Sequence, residues 1–436
     1  MGIHKVDQKS IAYRFLWNFI KFYHHLIYYR KIEVINQEKV PKDGAIVFTP
    51  NHQNALMDAL AVLFSVKRTL VFLARADIFK KKFFAEILYF LRILPVFRPR
   101  DGHGEVKRNH DTFKKTTEVL NNNLGLVIFP EGTHTNKQSL LPLKKGFVKI
   151  AFQTEEASDF KLGIQLMPMA ITYSHYEQCQ TVLSLSFAEP IPLKPYIEAY
   201  KKHPAKAYNE IRDRMSESLK SIMIHIEDDE QYENNSFLTK SFASSFSKGQ
   251  DQITSGKCFV EKLNELKEKE PAKYDQLQKH TSHFLNQTQK LNQRQKQIFK
   301  NYSFAKLILN LLKFLILAII IIPASLVQIV NYLIPGIPNR MIEDPQFHST
   351  FRFVLSLLSE IIFFFPLYFI FHLLLPQYGV WEFFLVYFFS LLFVTWQLNW
   401  LRNFFGMMKI FFFSITNSKK YKSAKMEMEE IENLIF

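Results

Sequence analysis

The sequence predicts an α/β sandwich, a central and mostly buried sheet flanked by helices, followed by an α-helical membrane region. Three observations predict it. Between Glu33 and about Pro190, short apolar runs alternate with polar stretches of helical spacing, the pattern of a sheet covered by helices. Beyond Leu307 the chain turns to long apolar stretches, each near the ~20 residues that a bilayer requires. Phenylalanine accounts for 44 of the 436 residues and is concentrated toward the C-terminus. That concentration points to lipid and not to a larger soluble core.

The elements follow in chain order. In segment 1–32, Ile11, Phe15, Phe19, Phe22, Leu26 and Tyr29 recur at steps of three and four, joined by Tyr13, Trp17, Tyr23 and Tyr28. This reads as an amphipathic helix lying at a membrane interface. Charges at Arg14 and Lys21 and the missing small-residue cleavage site exclude a secretory signal. Segment 33–227 is the α/β domain. Its expected strands are Ala45–Thr49, Leu70–Leu73, Leu126–Phe129, Leu166–Tyr173 and Val182–Phe187. Its expected helices are Asp58–Val66, Phe79–Arg92, Glu105–Asn122, Lys145–Gln153 and Ala205–Ile226. Segment 228–303, rich in Lys, Glu and Gln, reads as a polar helical linker or arm.

Segment 304–416 carries the expected spans Leu307–Leu333, Phe351–Leu375 and Val380–Leu398, with a shorter interfacial stretch, Phe404–Ile415. Residues 417–436 form a basic and acidic tail on the cytoplasmic side. Lysines and arginines flank both ends of the apolar region: Arg294, Lys296, Lys300 and Lys306 before it, Lys419, Lys420, Lys422 and Lys425 after it. The positive-inside rule places both flanks on the cytoplasmic side, which requires an even number of crossings. The first apolar stretch, interrupted by Pro323, is the one expected to be re-entrant or split.

Charge and cysteine usage narrow the function. The chain has 55 Lys+Arg against 40 Asp+Glu, a formal net charge of +15. Basic residues that share a chain with long apolar spans point to an anionic membrane surface. No zinc-finger, RNP-like or basic-zipper pattern supports a nucleic-acid partner. Two cysteines, Cys179 and Cys258, build neither a disulfide framework nor a Cys-rich metal site, and no metal is expected.

Four stretches carry chemistry. The first is Asn51-His52 followed by Asp58, where a strand ends and a helix opens. An imidazole there can take a proton from an alcohol near neutral pH, and a carboxylate on its other nitrogen fixes the tautomer and stabilises the imidazolium. The second ends at Arg98, after the apolar run Ile93–Phe97; a guanidinium suits bidentate recognition of phosphate. The third is Phe129-Pro130-Glu131-Gly132-Thr133, a strand running into a loop with a carboxylate, a hydroxyl and backbone N–H groups. Lys144 and Lys145 add positive charge just downstream. The fourth is a strand carrying Pro168.

Together, in this order, these stretches resemble the glycerolipid acyltransferase family related to bacterial lysophosphatidate acyltransferase. The resemblance covers roughly residues 30–220. Asn51, His52 and Asp58 match its first motif, Arg98 the second, Phe129–Thr133 the third and Pro168, weakly, the fourth. It departs in three places. Five residues separate His52 from Asp58 where four are commoner, Arg92 stands where the second motif usually has Gly, and His134 where the third often has Arg. The longer spacing resembles the fungal branch of glycerol-3-phosphate and dihydroxyacetone-phosphate acyltransferases, which also carry C-terminal spans.

The resemblance implies an acyltransferase-type sandwich that moves a fatty acyl group from coenzyme A or acyl carrier protein to a glycerol hydroxyl. The expected acceptor is 1-acyl-sn-glycerol 3-phosphate, giving phosphatidic acid, with glycerol 3-phosphate or dihydroxyacetone phosphate as the alternative. The alternative of another class is an inactive membrane scaffold. His52 and Asp58 are the expected catalytic pair. Arg98, Glu131, Gly132 and Thr133 are expected on the phosphate and glycerol parts, supported by Asn51, Pro130, Lys144, Lys145 and Pro168. No cofactor is expected beyond the acyl thioester co-substrate. The expected partners are the lipid acceptor, the thioester donor and the membrane, a bacterial inner membrane or the endoplasmic reticulum, with the catalytic domain facing the cytoplasm.

Overall fold

The computed structural model describes residues 6, 10–97, 109–337, 342, 344 and 347–436. The chain divides into two compact units. The first comprises Met1–Leu26, Lys31–Tyr176 and Val182–Met223; the second comprises Ile27–Arg30, Glu177–Thr181 and Ile224–Phe436.

The first unit is built on an eight-stranded sheet: β1 (Tyr29–Ile35), β2 (Ile46–Pro50), β3 (Leu70–Arg75), β4 (Ile93–Val96), β5 (Gly125–Val127), β6 (Gln165–Tyr173), β7 (Thr181–Phe187) and β8 (Ile191–Pro192). The spatial order is β1-β7-β6-β2-β5-β3-β4, with β8 also paired to β6. Strands β6, β2, β5, β3 and β4 run parallel to one another, while β7 and β8 are antiparallel to β6. The C-terminal ends of β2, β5 and β4 therefore share one sheet edge, where α/β folds place ligands.

The central strands are buried on both faces, which explains why they read as unbroken apolar runs and not as alternating ones. Gly125 is required by packing. A Cβ there would lie 2.6 Å from Leu70 Cδ2 and 2.8 Å from the Phe48 ring. The flanking helices are α1 (Ile11–Phe22), α2 (Ala55–Ser65), α3 (Lys82–Phe90), α4 (Asn109–Asn121), α5 (Gly146–Ala157), α6 (Ile197–Lys202) and α7 (Pro204–Ile222). Their apolar stripes close one core with the sheet, including Val47, Val71, Leu126, Phe147, Phe152, Leu166, Ile211 and Met215.

Helix α1 is shorter than expected. It starts on a Ser10 side-chain cap, ends at Phe22, passes into a π-helical turn over Tyr23–Tyr28, and then gives way to β1. Ile11 and Phe15 are 88% and 75% exposed, while Tyr13 and Trp17 pack edge-on against Phe90 and Phe64. Tyr29, expected on that helix, opens the strand. Strands β1, β4 and β8 add to the five expected.

In the second unit, segment 228–303 is not an arm. Helices α8 (Tyr232–Phe246), α9 (Gln252–Lys269), α10 (Pro271–Gln287) and α11 (Gln293–Lys300) close a core of their own through Phe237, Phe242, Phe259, Leu263, Leu277 and Phe284. The C-terminal segment is likewise a packed helix, α16 (Ser418–Ile435), with Ala424, Met428 and Ile431 buried in the same core. A narrow apolar stripe on each of these helices suffices for burial, while the polar remainder sets the composition.

Between them lie α12 (Phe304–Val327), α13 (Ile329–Leu333), α14 (His348–Leu374) and α15 (Val380–Thr416). Helices α12, α14 and α15 are long and apolar enough to cross a membrane. The stretch expected as a separate interfacial helix, Phe404–Ile415, continues α15 without a break. Helices α14 and α15 form an antiparallel pair joined at 375–379, with Phe364 and Phe371 each 5.2 Å from Phe383. Helix α12 runs antiparallel to α15. Phe304 meets Phe411, Asn310 accepts from the Trp400 indole, and Gln328 donates to Ser390.

Candidate active site

His52 lies where β2 hands over to α2, and several contacts fix its backbone. Asn51, buried, continues the β2–β6 ladder through its side chain. Its Nδ2 donates to the Ile171 carbonyl at 3.2 Å, and its Oδ1 accepts from the Ile171 N–H at 2.6 Å. The His52 N–H donates to Glu131 Oε1 at 2.6 Å, and its carbonyl accepts from the Thr135 N–H at 3.2 Å.

The His52 side chain is 16% exposed and its Nδ1 sits 2.8 Å from Asp58 Oδ2. Asp58 is fully buried. Its Oδ2 also accepts from the Gln53 and Asn54 N–H groups, each at 2.6 Å, and its Oδ1 accepts from the Tyr173 hydroxyl at 2.7 Å. Four donors thus compensate one buried carboxylate. With its proton on Nδ1 facing Asp58, the imidazole presents Nε2 as the acceptor. The ring stacks on Phe129, centroids 4.1 Å apart, and meets His134 edge-on at 5.1 Å.

Five residues between His52 and Asp58 would, on a continuous helix, place the two side chains about 120° apart. The chain avoids this with a backbone turn. Ala55, the first residue of α2, adopts φ +39°, the left-handed region that favours glycine. Asp58 is thereby swung back onto His52.

Glu131 is 1% exposed. Its Oε1 accepts from His52 N–H and its Oε2 from Leu141 N–H at 3.0 Å. Burial pushes its carboxyl up to about 8, opposed by those two N–H bonds and reinforced by the Asp58 charge. The sequence reading assigns Glu131 to substrate. The structure instead engages both its oxygens within the protein, as a clamp between the third-motif loop and His52.

Gly132 turns that loop at φ +67°, with its N–H on the Phe129 carbonyl at 3.2 Å. Gly132, Thr133, Lys144 and Lys145 are exposed beside it, and the buried Pro130 accepts from the Lys144 N–H at 2.8 Å. Pro168 pairs opposite Thr49 in β6, and its carbonyl accepts from Ala188. Its missing N–H therefore falls between the β7 and β8 pairings, where the ladder is already interrupted. Arg98 lies outside the described residues. Tyr173 lies outside the four motif stretches, and no local spacing marks it as a site residue. The pairing of β6 with β2 brings Tyr173 across 115 positions to Asp58.

Residues 31–172 match the family model described as Acyltransferase. A 1-acyl-sn-glycerol-3-phosphate acyltransferase of Cocos nucifera is 29% identical, over 30% of this chain and 38% of the relative. Glycerol-3-phosphate O-acyltransferase 2 of Saccharomyces cerevisiae is 28% identical, over 28% of this chain and 16% of the relative. The chain thus spans well under half the length of these two proteins. A 1-acyl-sn-glycerol-3-phosphate acyltransferase of Borreliella burgdorferi is 23% identical over 44% of this chain and 74% of the relative. Among solved structures, the 1-acyl-sn-glycerophosphate acyltransferase of Thermotoga maritima aligns over 50% of this chain and 86% of its own, at 21% identity and a TM-score of 0.33. Residues 31–172, which hold the motifs in order around His52, thus form an acyltransferase domain, similar in sequence to proteins named as 1-acyl-sn-glycerol-3-phosphate and glycerol-3-phosphate acyltransferases.

Proposed function

We propose that the chain is a membrane-bound O-acyltransferase that moves a fatty acyl group from an acyl thioester, carried on coenzyme A or acyl carrier protein, to the free hydroxyl of 1-acyl-sn-glycerol 3-phosphate. The observation that carries this reading is His52 held through Nδ1 on the fully buried, four-fold hydrogen-bonded Asp58. Nε2 takes the proton from the acceptor hydroxyl as that oxygen attacks the thioester carbonyl. Asp58 stabilises the imidazolium formed. The C–S bond then breaks, and Nε2 returns the proton to the departing thiolate. The substrate supplies the nucleophile, so the protein needs none.

Glu131 acts as a positioning residue that sets the His52 backbone. Gly132, Thr133, Lys144 and Lys145 line the exposed side of the loop, where a phosphate and glycerol hydroxyls are received, and Arg98, beyond the end of β4, is assigned to the phosphate. The second reading takes glycerol 3-phosphate as acceptor. The five-residue spacing favours it, as does the similarity to the yeast glycerol-3-phosphate acyltransferase.

Helices α14 and α15 are read as crossing the membrane and α12 as re-entrant. Most of the apolar surface of α12 and α14 is uncovered by protein: only 11% of the most apolar window of each is buried. Both flanks of this region, and the catalytic domain, face the cytoplasm in this reading.

The test is acyl transfer by the full chain in lipid nanodiscs. Labelled oleoyl-coenzyme A and oleoyl-acyl carrier protein are each offered with lysophosphatidate or glycerol 3-phosphate. Wild type should form one product, and His52→Ala should lose a factor of about 10² to 10⁴ in kcat. Equal rates in the two proteins would sink the mechanism. No product with any pair would favour the inactive-scaffold reading.

A further inference from the structure

Within the second unit, three helices send an arginine each to consecutive residues of one short segment. Arg352 of α14 donates to the Glu177 carbonyl. Arg294 of α11 donates from Nη1 to Gln178 Oε1 at 2.9 Å, and through Nε and Nη2 to Asn403 and Asn399 of α15. Arg402 of α15 donates to the Cys179 carbonyl at 2.7 Å. Arg30, exposed, lies within electrostatic reach of Arg294. Among the described residues, Arg294 and Arg402 donate only to neutral groups. Their hydrogen bonds are satisfied but their charge is not cancelled. Burial, then the charges of Arg402 and Arg30, hold the Arg294 guanidinium down to about 10. The Glu177 carboxylate stands nearby and faces His348 at 3.4 Å.

The position of these charges along the helices identifies what they meet. Arg352 stands 22 residues before Leu374, and Arg402 stands 22 residues after Val380. Both therefore lie about 33 Å along their helices from the shared turn at 375–379. That length matches the ~30 Å hydrocarbon core of a bilayer. With the turn at one surface, the arginines stand at the headgroup level of the other. A guanidinium cluster at that depth meets lipid phosphate, whose oxygens fit the planar fork of arginine.

We propose that Arg30, Arg294, Arg352 and Arg402 form a seat for the phosphate of an anionic glycerophospholipid, made of none of the residues that build the His52 site. This seat presupposes the membrane placement of α14 and α15 and is independent of acyl transfer. It differs from a purely structural clasp in one respect. Arg30 makes no hydrogen bond to the 177–180 segment among the described residues, so a clasp would not need it.

The experiment measures lipid retention by the full chain, using native mass spectrometry after exchange into mixed micelles of phosphatidylcholine and phosphatidate, with inorganic phosphate as competitor. Wild type should retain phosphatidate in preference to phosphatidylcholine. Arg30→Gln should weaken that retention about fivefold, and Arg402→Gln should weaken it further. His52→Ala should bind as wild type, which separates this seat from the catalytic reading. Wild-type retention by Arg30→Gln, or equal retention of the two lipids, would overturn the proposal. So would displacement of the lipid by inorganic phosphate at matching concentration, which would reassign the cluster to a free phosphate ligand. If Arg402→Gln fails to fold, the exposed Arg30→Gln still decides.

Discussion

Asp58 concentrates the chemistry of the site in one buried carboxylate, and its four donors differ in how they can be removed. Two are backbone N–H groups and one is His52 itself. The fourth, the Tyr173 hydroxyl, can be deleted while the ring stays. Tyr173→Phe leaves Oδ1 without that donor in a site closed to water. A hydrogen bond to a buried charged group contributes about 1.5–3 kcal/mol, so both stability and kcat should fall, the latter about tenfold. KM for either substrate should stay near wild type, because Tyr173 holds Asp58 and not a substrate. Steady-state kinetics beside thermal unfolding checks this, and an unchanged kcat would show that three donors suffice. His52, Asp58 and the Glu131 loop were legible because each lies within one short stretch. Tyr173 was not, because only strand pairing brings it to Asp58. The clamp role of Glu131 was hidden for the same reason: its acceptors face backbone N–H groups from two different loops.

At the level of elements, the turn between β2 and α2 resolves the spacing that sets this chain apart. A left-handed alanine costs roughly 1–2 kcal/mol, and glycine removes that cost at the price of more freedom in the unfolded chain. Ala55→Gly should therefore leave stability equal or up to about 1 kcal/mol higher, with activity kept. Ala55→Val should destabilise by more than about 1 kcal/mol, since a β-branched residue tolerates that conformation poorly, and should lower kcat by pulling Asp58 from His52. Melting temperatures and turnover of the two variants give the answer; a well-folded, fully active valine variant would show that the turn is not needed to close the pair. The five central strands were legible as apolar runs. Strand β4 was not, because Ile93-Leu94-Pro95-Val96 is short, carries a proline and sits at the sheet edge. Strand β1 was absorbed into the preceding helical pattern, since Tyr29 fits both periods. Segment 228–303 read as an arm because composition averages over a helix, whereas burial needs only the face bearing residues such as Phe259, Leu263 and Leu266.

At the scale of the whole molecule, the charged flanks require an even number of crossings from three apolar helices, and the proposed topology meets this with α12 re-entrant. The start of α12 packs against the C-terminal half of α15, with Leu307 beside Phe404 and Met407. Its end reaches Gln328, which donates to the Tyr387 carbonyl near the other end of α15. The chain then begins α14 back at the arginine level, with Arg352 bound to the same short segment as Arg402. Helices α12 and α14 thus both begin at the level of Arg402, as the proposed topology, with α12 re-entrant and α14 and α15 crossing, requires. The prediction is made in a background with Cys179→Ser and Cys258→Ser, carrying single cysteines at Asn301, Phe347 or Gln377. In sealed, oriented vesicles, a membrane-impermeant thiol reagent should modify positions 301 and 347 from the same side and position 377 only from the opposite side. Modification of 301 and 347 from opposite sides would mean that α12 crosses completely. The crossings would then be odd in number, the two basic flanks would face different compartments, and the arginine seat would lose its common headgroup level.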